Sequence, residues 1–316
     1  MQRTGADGAF AYVLMSHLDA DLVLRTARRV RELSPGAHVL VRHSRPGFLD
    51  PREAAAAGAQ VLRSRTPIRW GTWSTVAAVL EALAEAERRF SPSHTVLLSG
   101  QDHPVRDLAT WERSLTGVDA LLNPDPREHR DRWERSWHRL PGGRLLPGGL
   151  AGPVAAASRA VGAVVPGAPD VRLAGGRTWL VSHPRADAPP VPYRKGSLWT
   201  VLSRRAVARL LRTTAERPDV VRFFASTLLP DEAYVHSVLA AHPDLRVVHG
   251  PTTLALFAER APHPGELHLE DLSLARASGA AFARKVVRGV SDAFVAAADA
   301  AVDADRAGRA GTTSPA

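Results

Sequence analysis

The residues able to do chemistry in this sequence stand at a few defined places. "VLLSGQDHPV", residues 96 to 105, is a short apolar run that turns at once into Ser99-Gly100-Gln101-Asp102-His103-Pro104. A buried strand ending in a glycine, an acid and a histidine delivers polar groups to the strand-end edge where α/β proteins gather their ligands. His17, His43 and Ser44 end two further apolar runs. Asp231 and Glu232 follow Pro230 at a helix start. A carboxylate there complements the helix dipole, a role that suits either acid and does not require both. Of the 41 basic residues only Lys195 and Lys285 are lysines. In a chain that writes nearly every cation as arginine, a retained lysine suits a place where a compact point charge is wanted.

The elements that must position these groups are legible in the periodicity. "AFAYVLMSH" (9–17) is nearly all apolar and predicts a buried strand. "DADLVLRTARRVREL" (19–33) carries apolar residues at helical spacing, with Asp19 as N-cap. Strands follow at 38–43 and 59–64, a helix at 74–90 capped by Ser74, and a fourth strand at 94–100. This alternation predicts an α/β domain with a mainly parallel sheet flanked by helices. Residues 123–195, rich in Pro, Gly, Arg and Trp, read as long loops with short elements. Trp133, Trp137, Trp179 and Trp199 are placed either to stack on sugar rings or to pack a core. Order returns with a strand and a helix in 197–214 capped by Ser203, a helix from Pro230 and a strand at 246–250. The folded domain is expected over 8–295, and the Ala-rich residues 296–316 are expected to be a helix end and a disordered tail.

Composition bounds the function. The 316 residues suit one large domain or two small ones, and 45% hydrophobic content is ample for a core. The absence of cysteine excludes disulfides and thiolate metal sites. A net charge of +9 would fit nucleic acid or an anionic membrane. The arginines, however, are spread along the whole chain with no basic arm, so no nucleic-acid partner is expected, and an anionic substrate accounts for the positive field equally well. No run approaches the roughly 18 apolar residues of a membrane span. The N-terminus reads as a first strand rather than a signal peptide, which leads us to expect a soluble cytoplasmic protein.

Six pieces occur in order: "SH" (16–17), "WGTWS" (70–74), "SGQDHP" (99–104), "KGSLWTVLSRRAV" (195–207), "PDEAYVHSVL" (230–239) and "HLEDLSLARASGAAFARKV" (268–286). Together they resemble the Core-2/I-branching family of glycosyltransferases, which includes the peptide O-xylosyltransferases, over about residues 10 to 287. The resemblance implies a single GT-A-like domain that binds a UDP-sugar at strand ends. It implies inverting transfer of GlcNAc or xylose to an acceptor hydroxyl, with Glu232 of "PDE" as general base. Most GT-A enzymes hold a metal on a D-x-D after the fourth strand. This family resembles the present chain in lacking that motif, which implies metal-independent transfer with no cofactor. Lys285 of "FARK" then stabilises the leaving diphosphate, helped by Arg284 and Arg260. "DAD" at 19–21 has the D-x-D spelling, but it opens a helix, where Asp is a favoured cap. Ser44 stands where the family often has an Asp that meets the nucleotide, which leaves His17 with Arg42 or His43 to frame it. Gln101, Asp102, Ser197, Trp199 and Asp231 are expected on the sugar or acceptor side. The acceptor expected is a carbohydrate or a small natural product. A non-catalytic protein that binds a nucleotide-sugar or a polyanion on the same fold stays open as the alternative.

Overall fold

The computed structural model describes residues 8–45, 47–64, 66–125, 137–139, 148–165, 170–174, 177–181, 189–259 and 263–312. The strands are β1 Ala11–Ser16, β2 His38–His43, β3 Ala59–Val61, β4 His94–Ser99, β5 His103–Pro104, β6 Ala120–Leu122, β7 Trp137–Arg139, β8 Asp170–Ala174, β9 Arg177–Val181, β10 Val201–Ser203, β11 Val247–His249, β12 Thr253–Ala255 and β13 Phe282–Arg284. The main sheet has seven strands in the order β11-β6-β10-β4-β1-β2-β3. All its pairings are parallel except the two made by β10, which runs antiparallel to β4 and β6. The α/β class with a mainly parallel sheet is therefore as the alternation predicts.

Both faces of this sheet are buried, which explains why its central strands are continuously apolar. Along β1, Ala11, Val13 and Met15 join one core while Tyr12 and Leu14 join the other. The first core packs against α3 (Trp73–Phe90), α6 (Arg204–Glu216) and α8 (Tyr234–Ala240). The second packs against α1 (Ala20–Leu33) and α4 (Leu108–Ser114). Asp19 caps α1 by accepting the Leu22 N–H at 3.2 Å. Ser203 caps α6 through Ala206 N–H at 3.1 Å. The cap of α3 is Thr72 rather than Ser74, because Ser74 already lies in the first turn and gives its own N–H to the Thr72 hydroxyl at 3.4 Å.

Two features depart from the sequence reading. Residues 123–195 include α5 (Gly148–Val164), longer than the short elements expected there, beside a small antiparallel sheet of short strands, β7-β9-β8. The helix end reaches further than expected: α10 runs Asp292–Thr312 and buries Phe294, Val295, Ala298 and Val302. Its polar face is pinned as well. Asp299 Oδ1 lies 2.7 Å from Arg29 Nε and 3.0 Å from Nε2 of the buried His103, and Asp303 Oδ1 lies 2.8 Å from an Arg29 terminal nitrogen. Alanine abundance hid this, because methyl-sized apolar contacts at helical spacing resemble low-complexity sequence.

A second, three-stranded sheet, β12-β13-β5, lies at the carboxyl end of β4 and forms a third core with α10 through Val105, Ala283 and Phe294. Arg29→Met should lower stability by about 2 kcal/mol, since it leaves the half-buried Asp299 without its arginine and removes the tie to the exposed Asp303. The measurement is the urea midpoint, and an unchanged midpoint would show that α10 docks through its apolar face alone.

Candidate active site

Strands β1, β2 and β4 are parallel and in register, so Ser16-His17, His43-Ser44 and Ser99-Gly100 lie along one edge. β2 and β3 extend the sheet to one side of β1, and β4 lies on the other. The reversal of strand order falls between β1 and β4, the place where open α/β sheets hold ligands. The two ends meet closely there: Gly100 donates its N–H to Met15 O at 2.9 Å, and a Cβ on Gly100 would sit 2.9 Å from the Ser16 side chain. Glycine is required at that approach.

Beyond Gly100 the turn exchanges hydrogen bonds with the end of β13. Gln101 O accepts the Val286 N–H at 2.9 Å, and Gln101 Nε2 donates to Val286 O at 3.3 Å. This docking carries Arg284 and Lys285 to the same edge. Arg284 reaches back to β4, with a terminal nitrogen 3.5 Å from Ser99 Oγ and Nε 3.5 Å from Asp102 Oδ1. Its guanidinium lies over the Trp199 ring, 4.7 Å from the centroid, in cation–π geometry. Lys285 is half-buried, its backbone clamped by Gly265 and Leu267. His17 is exposed at the strand end. Burial of part of its ring, then Lys285, then Arg284, hold the imidazole below the ordinary histidine value. The edge is thus electropositive and favours an anion.

The carboxylate side is built by the stretch Lys195–Trp199. Lys195 is buried, and its Nζ lies 3.1 Å from Glu232 Oε2, with side-chain exposures of 9% and 39%. Gly196 N–H donates to Glu232 O at 2.8 Å, and Ser197 N–H donates to Asn123 O at 2.8 Å. His236 Nε2 meets Ser197 O at 2.9 Å. Pro230–Glu232 form a 3-10 turn that places Asp231 and Glu232 half-buried ahead of α8, where a helix start was expected at Pro230. The "WGTWS" piece backs this turn, since Gly71 O accepts the Leu229 N–H at 3.3 Å and Trp73 packs edge-on against Tyr234 at 4.9 Å. One five-residue stretch therefore touches Glu232 at its start and, through Trp199, Arg284 at its end.

Several expected contacts are committed elsewhere. Asp102 and Gln101, expected on the substrate side, are buried and bonded to protein partners, so they lie behind the edge rather than on it. The Ser197 hydroxyl accepts the Trp199 N–H at 3.2 Å and shapes the turn. His43 is buried and stacked on Phe48 at 4.3 Å, with Nδ1 accepting the Arg45 N–H at 3.0 Å. Burial leads the causes that hold His43 below the ordinary value. Arg42 is buried and bonds His43 O, Ser64 Oγ and Thr66 O. It thus ties the β2 end to the following loops and does not reach the edge. Ser44 joins the edge through its backbone, donating N–H to Ser16 O at 2.7 Å. Arg260 and Trp133 lie outside the described residues, as do the flanks of the strands bearing Trp137 and Trp179. Asp19 and Asp21 pair with Arg288 at 2.6 and 2.9 Å, so "DAD" is a cap and an ion pair. Among the described residues, no three His, Asp or Glu side chains cluster as a metal site. No helix among them is long and apolar enough to cross a membrane.

The sequence reading singled out Lys195 without giving it a partner, and it gave no role to Gly196, Thr253 or His236. A signal for Gly196 exists in its position between Lys195 and Ser197 just before an apolar strand. No family model matches this chain. No curated protein matches it either. Solved structures that overlap it include glucosyl-3-phosphoglycerate synthase from Mycobacterium tuberculosis with phosphoglyceric acid, at 15% identity over 66% of this chain and 65% of that chain, with a TM-score of 0.31. The same synthase with Mn2+, uridine-diphosphate-glucose and phosphoglyceric acid overlaps at 15% identity over 64% of this chain and 59% of that chain, with a TM-score of 0.30. The chain spans less than two thirds of the length of either structure, and at such TM-scores neither ligand nor activity transfers to it.

Gly196→Ala should destabilise the fold by about 1–3 kcal/mol and disrupt the Lys195–Glu232 pair, because the new methyl would overlap the His236 ring and the Asn123 carbonyl. Chemical denaturation reads the loss, and wild-type stability would show that this contact is loose.

Proposed function

We propose that this chain is an inverting glycosyltransferase of GT-A-like architecture, similar to the Core-2/I-branching family, that moves a sugar from a UDP-sugar to an acceptor hydroxyl. The observation that carries this reading is the convergence of Arg284 and Lys285 beside His17, at the strand-order reversal, on a stretch that also holds Glu232. The donor we propose is UDP-GlcNAc or UDP-xylose, and the acceptor is a carbohydrate or a small natural product.

The chemistry needs two groups of opposite kind. The acceptor oxygen gives an electron pair to the anomeric carbon while the bond from that carbon to the diphosphate oxygen breaks. The departing pair leaves on the diphosphate, where Arg284 and Lys285 meet the new charge. The acceptor proton passes to Glu232. Trp199 offers an apolar ring beside the cations, of the kind on which sugars stack. We propose that transfer proceeds without a metal, the two cations acting in its place.

Glu232→Gln should slow transfer by about 10²- to 10⁴-fold, the usual loss on removing a general base, while leaving donor affinity nearly intact. Transfer within about threefold of wild type would refute the assignment of Glu232. UDP-sugar binding without transfer to any acceptor, in wild type, would favour the non-catalytic alternative. Lys285→Ala should weaken UDP binding by about tenfold or more, as expected for one charged hydrogen bond. Isothermal titration of UDP in EDTA reads this directly. Equal affinities would remove Lys285 from the site, and UDP binding that needs added Mn2+ or Mg2+ would overturn the metal-free mechanism.

A further inference from the structure

Asp102 is the most deeply buried acid at this edge, with 0% side-chain exposure, so it cannot touch a substrate. Its carboxylate is held from several elements at once. Oδ2 accepts the Ser99 N–H of β4 at 2.9 Å and the Thr253 hydroxyl of β12 at 3.2 Å. The Asp102 carbonyl accepts the Thr26 hydroxyl of α1 at 3.0 Å. The two bonds to Oδ2 hold the carboxylate in place and leave Oδ1 facing Arg284 Nε at 3.5 Å. Both of those atoms are buried, and neither has a hydrogen-bond partner. The guanidinium also lies over the Trp199 ring, 4.7 Å from its centroid. Arg284 is therefore held by a fixed charge at Nε and by an aromatic face, and this hold does not consume its terminal nitrogens in a paired fork.

We propose that Asp102 is a positioning residue, which holds the Arg284 guanidinium against Trp199 and so presents its terminal N–H groups to an anionic ligand beside Lys285. The anion named here as a nucleoside diphosphate rests on the glycosyltransferase reading, whereas the hold of Asp102 on Arg284 does not. Burial pushes the Asp102 carboxyl up to about 6, with Arg284 the first of the effects that oppose the rise. The hold is therefore fully present above that pH and is lost as the carboxylate protonates below it. The other groups bonded to the carboxyl are the uncharged Ser99 N–H and Thr253 hydroxyl, while Thr26 holds the Asp102 backbone. Lys285 and His17 stand beyond Arg284, and His103 turns away to Asp299.

The test reads Arg284 itself. In isotopically labelled protein the Arg284 Nε–H resonance, assigned by its loss in Arg284→Lys, should pass through a transition with its midpoint near pH 6. Asp102→Asn should abolish that transition. Thr253→Val, which removes a hydrogen bond to the ionised form only, should move it to higher pH and gives the same decision if Asp102→Asn fails to fold. Affinity for UDP-GlcNAc, whose diphosphate keeps one charge state over this range, should fall about tenfold in Asp102→Asn. An Arg284 resonance indifferent to both substitutions overturns the proposal. A responsive resonance with unchanged UDP-GlcNAc affinity overturns the presenting role. A responsive resonance in a wild-type protein that binds no UDP-GlcNAc upholds the hold on Arg284 and refutes the diphosphate reading.

Discussion

A carboxylate taken wholly out of water at the end of β4 constrains everything around it. An ionised group in that position is tolerated only when hydrogen bonds and an opposite charge replace its hydration. For Asp102 the replacements come from the end of β4 just before it, from β12 and from β13. Those strands belong to a different sheet. The need to satisfy one side chain thus fixes how the three-stranded sheet abuts the seven-stranded one, and with it where Arg284 and Lys285 come to rest. Charge placed at the edge of a sheet is common. Here the cation is delivered from residues nearly two hundred positions later in the chain, and a buried acid sets its place.

The same logic explains the C-terminal helix. His103 directly follows Asp102, and its ring is turned the opposite way, to Asp299 of α10. Arg29 of α1 closes the cluster. Burial dominates over the neighbouring acid, so His103 is held below the ordinary histidine value. The Ser99–Pro104 segment is therefore braced from both sides, by β12 and β13 at Asp102 and by α1 and α10 at His103. A loop at a ligand edge is ordinarily the mobile part of an α/β domain. Here the bracing makes the turn a rigid platform, which suits electrostatic stabilisation, because dipoles and charges already in place need not reorganise when charge develops.

How far the sequence could be read follows from the range of the interactions involved. The strands β1, β2 and β4, helices α1, α3 and α6, and the Asp19 and Ser203 caps were legible because each is decided within a few residues by periodicity and a local hydrogen bond. The cap of α3 was missed by two residues because Thr72, Ser74 and Thr75 all offer a hydroxyl near the same turn. The candidate site was legible as a set of residues but not as a geometry. Asp102 and Gln101 read as ligand contacts because acids and amides at strand ends commonly are. Nothing local reveals that Thr253 and Val286, far downstream, claim their polar atoms. The reach of the C-terminal helix was missed for the same reason, since its partners Arg29 and His103 lie at the other end of the chain.

The Lys195–Glu232 pair poses a physical question of its own. In the proposed reaction Glu232 takes up the acceptor's proton, and the cation 3.1 Å from it serves another purpose. What the lysine supplies is position. Glu232 lies in a three-residue turn without the rigidity of a full helix, and a glutamate has several rotamers to lose. Lys195 is buried at the rim of the sheet, on a segment bonded to the end of β6 and to α8, so its ammonium is a fixed point from which a partly exposed carboxylate can be aimed. A lysine is better suited to this than an arginine. Its point charge restrains one oxygen, whereas a guanidinium fork would engage both. In a chain that otherwise writes its cations as arginine, the two lysines stand at the two places where a single compact charge serves: one against the carboxylate, the other at the electropositive edge.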